Sequence, residues 1–98
     1  MVTDNTALEF LDFTNNQISD INLVNNLSLV EVLASQNALT QLDVTSNTLL
    51  ENLNCDYNQL NQLEVNANTL LKYLSCANNL LTTLDLSVNA NLIVANFS

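Results

Sequence analysis

Residues 50–79 read LENLNCDYNQLNQLEVNANTLLKYLSCANN, and within them the pattern Leu-x-x-Leu-x-(Cys/Val)-x-x-Asn occurs three times, starting at Leu50, Leu60 and Leu71. The steps between copies alternate between ten and eleven residues, so two unequal halves make one unit of 21. The same unit extends in both directions without a gap. Full units run over 8–28, 29–49, 50–70 and 71–91, a partial coil of seven residues precedes them at 1–7, and another follows at 92–98. The whole chain, 1–98, therefore reads as a single array of stacked repeats.

Numbering each unit from 1, the apolar positions are 1, 4 and 6 in the first half and 11, 14 and 16 in the second. Position 4 is Leu11, Val32, Leu53, Leu74 and Ala95; position 6 is Phe13, Ala34, Cys55, Cys76 and Phe97. Position 14 is Ile21, Leu42, Leu63 and Leu84; position 16 is Leu23, Val44, Val65 and Leu86. A polar residue usually separates each pair, which is the period-2 signature of an extended segment with one buried face. No stretch holds a helical period long enough to compete. The expected fold is all-β: about five stacked 21-residue coils, two parallel strand ladders, little or no helix and no polar caps.

Asparagine closes each half. Position 9 holds Asn16, Asn37, Asn58 and Asn79; position 19 holds Asn26, Asn47, Asn68 and Asn89. A corner turns backbone N–H and C=O groups inward, and a carboxamide offers both a donor and an acceptor to them. Asparagine also tolerates left-handed backbone angles, and the chain contains no glycine to fill that role. Stacked at equal positions, these amides are expected to form two structural ladders.

The residues LEFLDFTNNQI (8–18), LVEVLASQNAL (29–39) and LENLNCDYNQL (50–60) resemble the leucine-rich repeat, L-x-x-L-x-L-x-x-N-x-L. The 21-residue unit with a nested 10 + 11 pattern is similar to the bacterial type found in secreted or surface proteins. The resemblance implies a stacked solenoid whose first strand presents its outward residues to protein partners. On that implication Phe10, Leu33, Tyr57 and Tyr73 are the partner-binding candidates.

Composition narrows the functions further. Ten acidic residues face one basic residue, Lys72, for a formal charge of −9. Such a chain repels nucleic-acid backbones and anionic lipid surfaces. No apolar run approaches the ~18 residues that would span a bilayer. There is no histidine, and neither cysteine has a base to activate it, so an enzyme is not expected and no cofactor is called for. Cys55 and Cys76 share one inward slot a unit apart and read as buried free thiols.

Asp43, Glu64 and Asp85 share position 15 and would stack as like charges on one outward face. Oxygen ligands of this kind suit a hard cation such as calcium. The stripe lacks the aspartate-rich loops of calcium-binding repeats, so the preferred reading is a solvated acidic face. The ends suggest a second theme. Met1, Val2 and Ala7 at one end, with Leu92, Val94 and Phe97 at the other, form two uncapped apolar sets that could complete one coil between neighbours. The favoured function on this basis is a structural repeat protein stacking head to tail with itself into an extracellular filament. The alternative is a protein- or glycan-binding segment of a bacterial surface adhesin. Either way the location is extracellular or on the cell surface, with no secretion signal in this chain.

Overall fold

The computed structural model describes residues 5–97. Among them the regular elements are five three-residue strands: β1 (Phe10–Asp12), β2 (Glu31–Leu33), β3 (Asn52–Asn54), β4 (Tyr73–Ser75) and β5 (Val94–Asn96). They form one parallel sheet in the order β1-β2-β3-β4-β5. Each register step is one sequence unit: Leu11 pairs with Val32, Val32 with Leu53, Leu53 with Leu74 and Leu74 with Ala95. The described residues make about four coils, and the molecule is only 16 Å deep along its shortest axis.

Between the two walls lies a single strip of apolar side chains. Leu29, Val32, Leu39, Val44, Leu50, Leu53, Leu60, Val65 and Leu71 are wholly shielded from solvent. Each such side chain, fully buried, contributes roughly 1.5–3 kcal/mol. Positions 14 and 16 point into this strip as their alternation requires.

The second half of the unit is not, however, a second strand ladder. In three of the four units a local contact contributes. At position 15, Asn22, Asp43 and Asp85 each turn a side-chain oxygen back onto the N–H two residues on, at Val24, Thr45 and Ser87 (3.0, 2.9 and 2.9 Å). That Asx geometry takes the position-17 donor away from the neighbouring coil. Two tight turns follow at once: Asn47 N–H donates to Val44 C=O and Leu50 N–H to Asn47 C=O, with the same pair in the other coils. Alternation in burial thus survives without pleated pairing.

What joins coils on that wall is the position-19 amide. Asn47 Nδ2 donates to the carbonyls of Leu23 and Asn26, Asn68 Nδ2 to those of Val44 and Asn47, and Asn89 Nδ2 to those of Val65 and Asn68. At the opposite corner the position-9 amide is used at both ends. Asn58 Nδ2 reaches the carbonyls of Ala34, Cys55 and Asp56, and its Oδ1 accepts from Leu39 N–H at 3.0 Å. Asn37 and Asn79 repeat this set.

The left-handed residue of the corner is not this asparagine but the one before it. Asn15, Gln36, Tyr57 and Asn78 carry φ of 60°, 58°, 55° and 57°. Asparagine accepts that conformation readily, whereas glutamine and tyrosine hold it at a cost of order 1 kcal/mol. The ladder geometry forces the angle, and position 8 supplies whatever residue stands there.

Two substitutions test the corner. Asn58→Leu takes the acceptor from Leu39 N–H and one of two donors from each of the carbonyls of Ala34, Cys55 and Asp56, and should lower urea-unfolding stability by about 1–3 kcal/mol. Tyr57→Asn should instead raise it by up to about 1 kcal/mol, because the backbone angle is retained while its cost falls.

Candidate recognition face

The outward side chains of the sheet come from positions 3 and 5. Position 3 runs Phe10, Glu31, Asn52, Tyr73, Val94, and position 5 runs Asp12, Leu33, Asn54, Ser75, Asn96. Phe10 is 64% exposed and Tyr73 46%. Leu33 sits lower, half-buried between its neighbours. Tyr57, 55% exposed, stands on the left-handed corner beyond β3 rather than on the sheet itself. Of the four partner-binding candidates, the fold therefore puts Phe10, Leu33 and Tyr73 on one surface and Tyr57 on its rim.

Polar contacts run across this wall from coil to coil. Asn52 Nδ2 donates to Glu31 Oε2 at 2.7 Å, and Lys72 Nζ pairs with Glu51 Oε1 at 3.1 Å. Asp56 Oδ1 accepts from Ser75 Oγ and from Ala77 N–H, both at 2.7 Å, while Asp56 N–H donates to Asn54 Oδ1. In the middle of the face Leu33, Asn52, Asn54, Tyr73, Ser75 and Val94 line a shallow groove of about 280 Å³. Sequence spacing placed these residues on one face. The concavity arises from the side-chain sizes of Leu33, Ser75 and Val94 beside Tyr73, which no repeat consensus specifies.

The acidic stripe occupies the other wall. Asp43 and Glu64 border a depression of about 230 Å³ with Gln41, Thr45 and Gln62; Asp85 does not line it. Thr45 holds Asp43 below the usual carboxylate range, first through its hydroxyl and then through its N–H, and Ser87 does the same for Asp85. Among the described residues no group of three or more His, Cys, Asp or Glu is placed to hold a metal ion.

The end-stacking candidates divide. Ala7, Val94 and Phe97 are exposed, and Leu92 packs partly against the core. Met1 and Val2 lie outside the described residues.

Cys55 and Cys76 are free and buried, on adjacent coils. Cys55 N–H donates to Ser75 C=O and Cys76 N–H to Asn96 C=O, so both backbones are held in the parallel stack. Burial raises both thiols, with the negative charge of Asp56 adding to it; Cys76 is pushed up to about 11, and Cys55 further.

One parallel sheet at a 21-residue register, a carboxamide column at each corner and an irregular second wall define a leucine-rich-repeat solenoid of the bacterial 21-residue type. The fold is similar to the solved structure of the functional domain of InlJ from Listeria monocytogenes, a domain that includes a cysteine ladder. The match has a TM-score of 0.93 and 35% sequence identity over 94% of this chain, and the chain spans 20% of the length of that one. No protein-family model matches the chain, and no curated protein matches it in sequence.

The thiols give a measurable consequence. In the folded protein at pH 7.5 neither cysteine should react with a disulfide reagent, and both should react on unfolding in urea. Because the native thiols stay neutral while unfolded ones ionise near 9.0, their contribution to stability is present below that pH. It is lost as pH rises through the folded value of about 11. A Cys55→Ala/Cys76→Ala double variant should show a shallower fall in stability over that window.

Proposed function

We propose that the chain is a non-enzymatic recognition module of a secreted or surface-exposed bacterial protein, and that its partner docks on the outer face of the β1–β5 sheet. The observation that carries this reading is the placement of aromatic side chains. Among the described residues the exposed aromatics Phe10 and Tyr73 stand on the sheet wall and Tyr57 on its adjoining corner, whereas Phe97 holds the inward column of the last coil beside Leu81 and Leu84. The opposite wall exposes acidic and small polar residues together with aliphatic ones such as Val24, Leu27 and Val88. Exposed aromatics on a rigid platform are the residues that dominate binding energy in protein recognition. Likeness to an InlJ domain supports a surface role for the repeat.

The rigid support favours the same face. Each outward side chain is held by a strand that is hydrogen-bonded to the next coil, whereas the back wall turns through successive bends. Exposure of Val94 and Phe97 gives end-to-end stacking no support beyond what any last coil in a stack shows. The filament reading is therefore not carried forward.

The face can be tested without knowing the partner. A photo-cross-linking residue replacing Tyr73 should join the protein to its partner on the surface of the producing organism's contacts, whereas one replacing Thr83 on the back wall should not. Tyr73→Ala should weaken that capture severalfold with unchanged thermal stability. Cross-links confined to position 83 would assign recognition to the other wall.

A further inference from the structure

We infer that the groove at the centre of the sheet face is a binding site for an uncharged sugar ring, as the end of a neutral glycan. This rests on the reading that the outer sheet face is the docking face, and it names what that face takes.

The site is a platform of four side chains on two neighbouring strands. Asn52 and Asn54 stand on the same face of β3, and Tyr73 and Ser75 are their register partners on β4. Adjacent strands lie about 4.8 Å apart and alternate residues along a strand about 6.6 Å apart, dimensions comparable to a pyranose ring. Leu33 and Val94 wall the groove on the flanking strands β2 and β5.

The hydrogen-bonding ends are already sorted by the protein. Asn52 has its Nδ2 committed to Glu31, which leaves Oδ1 as an acceptor. Asn54 has its Oδ1 committed to Asp56 N–H, which leaves Nδ2 as a donor. Ser75 donates to Asp56, so its oxygen remains able to accept. A sugar hydroxyl both donates and accepts, and a neighbouring pair of hydroxyls matches one fixed donor beside one fixed acceptor. The Tyr73 ring, 46% exposed, supplies the aromatic surface against which the C–H face of a sugar packs. Leu33 and Val94 offer apolar contact to ring carbons or to an N-acetyl methyl group.

Charge selects among sugars. Ten carboxylates belong to this chain, yet no charged residue lines the groove. The lone basic residue, Lys72, is engaged by Glu51. A sialylated or sulfated glycan meets a protein of charge −9 with no cation to receive it. Neutral hexose or N-acetylhexosamine ends carry no such penalty. The groove is below the ~300–1,000 Å³ of enclosed small-molecule pockets, which suits one ring reached from an open surface rather than a buried ligand.

The test uses the chain as it stands, titrated with a panel of hexose- and N-acetylhexosamine-terminated oligosaccharides and their sialylated counterparts, read by backbone amide shifts. At least one neutral glycan should shift the amides of Asn52, Asn54, Tyr73 and Ser75 at millimolar concentration or below. Tyr73→Ala and Asn54→Asp should each weaken it at least tenfold. Asn54→Asp keeps the acceptor for Asp56 N–H and replaces the free donor with a charged carboxylate oxygen, and unchanged melting temperatures would establish that both variants fold. Thr83→Ala, on the back wall, should bind as the parent does. The inference is overturned if no neutral glycan shifts those amides, if the sialylated forms bind better, or if both groove variants bind normally. Should a polypeptide cross-link from position 73 while every glycan fails, the docking face stands and its sugar ligand does not.

Discussion

Everything in this solenoid depends on the carboxamide at the corner after each strand. Asn37, Asn58 and Asn79 each bond backbone groups of two successive coils, with the NH2 end reaching the carbonyls that leave the strand and the oxygen taking an N–H from the coil before. A backbone that turns inward without such a partner would bury unpaired polar groups at a cost of roughly 1–3 kcal/mol apiece. The constraint is also a ruler. Only a residue 21 positions on can reach the same atoms, so the amide fixes the unit length as firmly as the apolar strip does.

The second column works differently. Asn47, Asn68 and Asn89 spend their NH2 groups on carbonyls of the preceding coil, but their Oδ1 atoms are buried and accept no hydrogen bond within the protein. Their donors substitute for the strand ladder that the back wall lacks. The two walls are therefore cross-linked by different chemistry, backbone to backbone on one and side chain to backbone on the other. The unbonded side-chain oxygen is offset by the two carbonyls that its NH2 group reaches, each of which gains a second donor beside its own turn N–H.

Much of this was legible from sequence because the repeat superposes like on like. The unit boundaries, the inward columns and the positions of both asparagines follow from spacing alone, and the resemblance to the leucine-rich repeat supplied the stacking. Where reading failed, a local polar contact overrode a periodic signal. Leu42-Asp43-Val44-Thr45 alternates as a strand should, yet the Asp43 carboxylate captures Thr45 N–H and the segment bends. The left-handed residue was expected at the asparagine of the ladder and is instead its predecessor, because the amide must face inward while the turn is made one residue earlier. Tyr57 in that conformation has no signature in composition. The groove escaped notice for a related reason: it depends on which sizes fall on neighbouring coils, not on what any column has in common.

That last distinction separates scaffold from site. Positions 4, 9, 16 and 19 are nearly constant because each must meet its own copy one coil away. Positions 3 and 5 meet their copies only at the surface, so the fold tolerates Phe10, Glu31, Asn52, Tyr73 and Val94 in a single column. Recognition can then be written in the differences between coils while stability is carried by their sameness. In a chain this acidic, the charges themselves are poorly suited to define a site, since they are spread over both walls and either solvated or held by local hydrogen bonds. What distinguishes one patch from the rest is the reverse: a polar concavity from which carboxylates are missing, with donor and acceptor ends fixed by Asp56 and Glu31 standing just outside it. There the acids act indirectly, by orienting neutral amides toward whatever occupies the face.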